Sequence, residues 1–142
     1  MSIAQPSSVC LDIGMKKVAL GILQNTKGEF LLQHKDKDAP HFPDMWCLFG
    51  GGIEAGEEPP DTVVREIWEE LRVVINGVRL VAERLDDQAQ IHRYFCIGQL
   101  DEPIDTLKSQ LTEGDDVGYF SREDLRRLNI NPAHLAALIE LG

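Results

Sequence analysis

The sequence predicts an α/β fold of the α+β kind, a mixed sheet with helices packed on it. Three observations carry that expectation. Two apolar runs, KKVALGILQN and EFLLQHK, flank TKG and read as a hairpin. One amphipathic helix signal follows at 59–71, and two strand-like runs come after it. The chain then closes on helices.

After the hairpin, DKDAPHFPDMW is polar, holds two prolines and predicts a loop, and WCLF leads from it into three glycines. Pro59 and Pro60 open the helix, where first-turn N–H groups have no intrahelical partner to lose. The runs VVINGVRLVAERL and IHRYFCIGQL read as strands joined through DDQAQ, with VGYF as a further short strand. SREDL predicts a helix start, serine at the cap and an acid three residues on. PAHLAALIEL predicts the last helix.

Length and content bound what the chain can be. With 142 residues, 43% of them hydrophobic, and no repeat or linker-like shift in composition, residues 1–142 read as one domain. The longest apolar run, Val18 to Leu23, is far short of the roughly 18 residues of a membrane span. The first residues, MSIAQPSSVCLDIGMKK, lack the pattern of a secretory signal. Cys10, Cys47 and Cys96 are odd in number and form no C-x-x-C pair, which predicts buried thiols in a reducing cytoplasm. The net charge of −10 argues against a polymeric nucleic acid as partner. If so acidic a chain handles phosphate, a divalent cation must stand between its acids and the ligand.

The acids concentrate in LFGGGIEAGEEPPDTVVREIWEELRV, Leu48 to Val73, which holds seven of them. On a helix at about 100° per residue, Glu66, Glu69 and Glu70 fall in one sector about 100° wide. Val64, Ile67, Trp68 and Leu71 fall opposite and predict the apolar face. Carboxylates at i, i+3 and i+4 repel one another unless cations lie between them, and hard cations such as Mg²⁺ take such oxygens. The glycines before the helix let the backbone approach a ligand closely.

These residues resemble the signature of the Nudix hydrolases, G-x5-E-x7-R-E-U-x-E-E-x-G-U with U aliphatic. Gly51, Glu57, Arg65, Glu66, Ile67, Glu69, Glu70 and Val73 match, eight of nine specified positions over residues 51–73. Trp46, Gly50, Glu54 and Gly56 also match common preferences of the family. Arg72 stands where the signature has its last glycine, and Phe49 where many relatives have proline.

The resemblance implies a Nudix fold, an α/β/α sandwich with a central catalytic helix. It implies attack of water on phosphorus in the diphosphate of a small nucleotide, with Mg²⁺ as cofactor and Mn²⁺ able to replace it. It implies metal binding by Glu57, Glu66, Glu69, Glu70 and the Gly50 carbonyl, and it implies that Arg65 holds Glu57 in place. The general base is left between Glu69, Glu70 and Glu113, the last in a late loop like one that joins the metal site in mutator-type pyrophosphohydrolases. Substrate contacts are expected from His41, Phe42, Trp46, Phe49, Gly51 and Gly52, with Tyr94 and Phe120 as further aromatics. His92 and His134 read as ordinary surface or packed histidines. No membrane partner is expected, and a homodimer is compatible with this reading. The alternative is a Nudix-fold module that senses a nucleotide without cleaving it.

Overall fold

The computed structural model describes residues 14–142. The hairpin forms as β1 (Lys16–Gln24) and β2 (Phe30–His34), and the short strands β3 (Trp46–Cys47) and β4 (Phe49–Gly52) follow the loop. Helix α1 is Pro59–Leu71. Then come β5 (Arg79–Asp86), β6 (Ile91–Gln99), α2 (Ile104–Gln110), β7 (Asp116–Phe120) and α3 (Pro132–Leu141).

The strands make one mixed sheet in the order β3-β2-β1-β6-β5, with β4 paired to β1 and β7 to β2. β1 runs parallel to β6 and antiparallel to β4, where Val18, Ala19, Leu20 and Gly21 face Gly52, Gly51, Gly50 and Phe49. β1 therefore fixes the glycine segment in place. Period-two alternation sends Ala19 and Leu23 to one core with Val63, Ile67, Leu71 and Leu107. Leu20 and Ile22 go to a second core with Leu125, Ala137 and Leu138. Helices α1 and α2 thus cover one face and α3 the other, the expected sandwich.

Several elements differ from their sequence expectation. Helix α2 was not predicted: it is seven residues long and buries only Leu107, too little for a periodic signal. The first post-helix run pairs only from Arg79, because its beginning lies against the helix side, with Ile75 buried in that core. SREDL forms the reciprocal cap, Ser121 N–H to Asp124 Oδ2 at 3.0 Å and Asp124 N–H to Ser121 Oγ at 3.2 Å. It then makes only a 3-10 turn at Asp124–Arg126. The next residues are drawn into extended pairing with Trp46, which donates to the Asn129 carbonyl and accepts from the Asn131 N–H.

On α1 the buried stripe is Thr62, Val63, Ile67, Glu70 and Leu71, while Trp68 is 45% exposed. The apolar face is therefore rotated toward the acids, and Glu70 lies inside the buried sector. Cys47 and Cys96 are buried thiols, as expected, whereas Cys10 lies outside the described residues. Among the described residues no helix is long and apolar enough to cross a membrane.

Arg72 ends α1 in the left-handed conformation, φ 57° and ψ 36°, with its N–H on the Trp68 carbonyl. The backbone a glycine would favour is kept without the glycine. Its guanidinium lies 5.2 Å from the centre of the Trp68 ring, which returns part of the conformational cost. Arg72→Gly is expected to raise stability by about 0.5–1 kcal/mol, read as a higher urea midpoint at unchanged slope. A lower midpoint would show that the Trp68 contact outweighs the backbone strain.

Candidate active site

Two glycines bring the β4 backbone against its neighbours. Gly50 has φ 154°, and a Cβ there would stand 2.0 Å from the Ala19 carbonyl oxygen. A Cβ on Gly51 would stand 2.8 Å from the Glu66 carboxyl carbon. The glycine strand therefore lies directly against the acidic side of α1. Gly52 is more exposed and gives its carbonyl to Arg65 Nη2 at 3.0 Å.

Arg65 organises the acids around it. Its Nε donates to Glu57 Oε2 at 2.7 Å, and Nη2 donates to Glu57 Oε1 at 3.1 Å. Nη1 reaches Glu66 Oε2 at 2.7 Å and Glu69 Oε1 at 3.3 Å. Glu57 Oε1 also accepts from the Thr62 hydroxyl at 2.7 Å and the Glu54 N–H at 2.9 Å. The hydrogen bonds from Arg65, then those from Glu54 and Thr62, bring the Glu57 carboxyl down to about 2 despite its partial desolvation. Glu57, and then Glu66, push the Arg65 guanidinium up. The implied Arg65–Glu57 contact is present, and it engages both Glu57 oxygens. Thr62, which supports it from inside the helix, was missed because a lone buried threonine leaves no pattern.

Glu70 has the opposite environment. It is 3% exposed, and neither carboxylate oxygen has a hydrogen-bond partner. Burial, then the charges of Glu66 and Glu113, push its carboxyl up to about 8. Burial also raises Glu66, against the pull of Arg65. A buried carboxylate without a partner is costly; a proton relieves that cost, and so would a cation held between Glu70 and Glu66. Among the described residues no group of three or more His, Cys, Asp or Glu side chains stands in metal-ligand geometry. The fit to a divalent cation rests on the Glu66–Glu70 pair and the glycine backbone held against it.

Glu113 lies in the loop before β7, whose Thr112 N–H donates to the Glu70 carbonyl at 3.2 Å. The loop is tied on its other side by Asp115, which receives His34 Nδ1 at 2.6 Å and gives its own N–H to the His34 carbonyl. The late acidic loop thus meets α1 at the buried acid. Glu69 is half exposed and turned toward Arg65.

A pocket of about 440 Å³ adjoins the glycine strand and contains Gly50, Gly51, His41 and Phe42. Phe42 and Asp44 both have left-handed backbones, φ 52° and 59°, which shape the loop that carries His41 and Phe42 over the pocket.

Two substrate expectations are corrected. Phe49 is fully buried in the core under α1 and cannot reach a ligand, because β4 turns that side chain inward toward Val63 and Ile67. Trp46 packs edge-on to Phe120, ring centres 4.7 Å apart, and tilted against His34. It lines a separate depression of about 650 Å³ that includes Tyr119 and Lys108 but none of the α1 acids. Tyr94 stacks on His92 at 4.3 Å between ring centres. The sequence reading missed Gln33, Lys35 and Arg93 as lining residues, and it took His134 only as a packed histidine. They come from β2, the following residue, β6 and α3, and no local spacing links them.

A sheet sandwiched by helices, with an arginine-organised acidic helix against a glycine strand, is the architecture of the Nudix hydrolases. The NUDIX domain family matches residues 15–141, and the chain belongs to that family. It is 31% identical over 139 residues to a nucleoside triphosphatase, NudI, of Enterobacter sp. (strain 638), covering 89% of this chain and 96% of that protein. It is 34% identical over 122 residues to an RNA pyrophosphohydrolase of Psychrobacter sp. (strain PRwf-1), covering 70% of this chain and 68% of that one. The NUDIX domain of Shewanella oneidensis NrtR, solved with ADP ribose, shares the fold with a TM-score of 0.72. Identity there is 17%, over 98% of this chain and 96% of that one.

Proposed function

We propose that the chain acts as a single Nudix domain, a Mg²⁺-dependent pyrophosphohydrolase of a small nucleotide. The substrate is a nucleoside triphosphate or a nucleoside diphosphate linked to another moiety. The observation that carries this is Glu70, a buried carboxylate with both oxygens unpaired, beside Glu66, whose carboxyl lies against Gly51 at the wall of a pocket of nucleotide-compatible size. Glu66 and Glu70 would hold the cation, with the Gly50 carbonyl as a further ligand. When bound, such a cation neutralises diphosphate charge and acidifies water for attack on phosphorus. Arg65 keeps Glu57, Glu66 and Glu69 oriented through its fork of donors. Glu113, whose charge reaches Glu70, takes the proton of the attacking water, with Glu69 as the other candidate. His41 and Phe42 cover the nucleoside.

The relatives' activities support a nucleotide anhydride as substrate. The net charge of −10 favours a small nucleotide over an RNA end. The test is a panel of nucleoside triphosphates, nucleotide sugars, ADP-ribose and a 5′-triphosphorylated RNA. Release of phosphate, pyrophosphate and nucleoside monophosphate is measured with Mg²⁺ and with Mn²⁺. Turnover of a small nucleotide is expected. A folded protein that cleaves none of them, yet binds one tightly, would be a sensing module instead.

A further inference from the structure

We propose that the 440 Å³ pocket selects a base with a lactam edge, a ring carbonyl beside a ring N–H, with His134 as donor and Gln33 as acceptor. This rests on the reading above that the ligand is a nucleotide whose phosphates lie over α1.

The pair is assembled by one backbone residue. Leu48, between β3 and β4, donates its N–H to His134 Nδ1 at 3.0 Å and receives Gln33 Nε2 on its carbonyl at 3.4 Å. In extended chain the N–H and C=O of one residue point to the same side. Side chains from β2 and α3 therefore meet along one edge of Leu48, and both line the pocket.

Each bond also fixes what the far end of its side chain offers. With Nδ1 accepting, the neutral ring carries its proton on Nε2 and presents a donor. Burial, aided by the charges of Arg93 and Lys35, holds the ring uncharged down to about pH 3, so this donor does not change across ordinary pH. Gln33 must turn its NH₂ to the Leu48 carbonyl, which leaves Oε1 as an acceptor. That oxygen is buried and has no partner. An unpaired buried acceptor is costly, and a ligand N–H recovers part of that cost.

The rest of the polar wall has the same bias. Lys35 and Arg93 add donors, Arg93 held by Asp86 at 3.0 Å, and no Asp or Glu is among the described lining residues. Oxo groups suit such a wall, while the amino groups of adenine and cytosine would face donors and stay unpaired.

Calorimetric titration of the full chain with GMP, UMP, AMP and CMP tests this without turnover. GMP and UMP are expected to bind about tenfold or more tightly than AMP and CMP. IMP, which keeps the lactam edge, should behave as GMP does, and the ribotide of 2-aminopurine, which lacks it, as AMP does. His134→Asn retains an acceptor for the Leu48 N–H, but its amide is too short to place an N–H where Nε2 stands. It should narrow the preference to within about threefold at a nearly unchanged Tm. Equal binding of the four nucleotides, or preference for the amino bases, overturns the inference, and so does a folded His134→Asn variant with the preference intact. The proposed hydrolase and this selectivity fail separately. A chain that ranks the bases but cleaves nothing loses only the first, and one that binds and cleaves all bases alike loses only the second.

Discussion

Glu70→Gln is expected to stabilise the metal-free protein at pH 8 while abolishing its turnover. The folded Glu70 carboxyl sits at about 8, against 4.5 for the free side chain, because burial and the charges of Glu66 and Glu113 oppose ionisation. Between those values the folded chain holds a proton that the unfolded chain has released, so stability falls as pH rises through the window. Below about 4.5 both states are protonated and the penalty vanishes. Glutamine never ionises, so the variant escapes the penalty. A gain of about 2–4 kcal/mol at pH 8, or a Tm higher by about 5–10 °C, is expected in a metal chelator, with little gain at pH 4.5. Added Mg²⁺ should raise the Tm of the native chain at pH 8 and leave the variant's unchanged, since only the native carboxylate gains a partner. A variant less stable than the native chain in chelator at pH 8 would mean that Glu70 is not strained by burial. Undiminished turnover would remove it from the site.

Arg65→Lys should lower kcat about 10–100-fold, although the charge is retained. The guanidinium makes contacts with Glu57, Glu66, Glu69 and the Gly52 carbonyl that a single ammonium cannot reproduce together. Arg65→Ala should cost on the order of 2 kcal/mol of stability as well, since Glu57 and Glu66 lose their partner. The Glu57 carboxyl, held at about 2, contributes stability that is present above its free value of 4.5 and is lost as pH falls toward 2. The stability difference between the native chain and Arg65→Ala should therefore shrink as the pH is lowered from 5 to 2, followed by urea titration at each pH. A difference that stays constant over that range would mean that Arg65 acts through packing and not through Glu57.

Much of the fold was legible because its signals are local. The apolar runs on either side of TKG marked β1 and β2, and the spacing of Val64, Ile67, Trp68 and Leu71 marked α1. The acids and Arg65 were legible for the same reason: they lie within one short stretch, at intervals that a helix turns into a face. The face itself was misplaced, because helical angles alone do not say where the sheet lies. Packing on β1 put Val63 inward and Trp68 outward, and with them it buried Glu70. Phe49 illustrates the same limit. In the sequence it stands beside the glycines, but the pleat of β4 sends it into the core.

The pocket was the least legible part. Gln33 and His134 are 101 positions apart, and only the Leu48 backbone between two short strands brings them to one edge. The sequence by itself determined the kind of chemistry, since that depends on residue types at fixed local spacing. Tertiary structure decided which carboxylate is desolvated, which aromatic side chains reach the pocket and which polar groups line it. Those properties depend on contacts between distant segments, and no local periodicity records them.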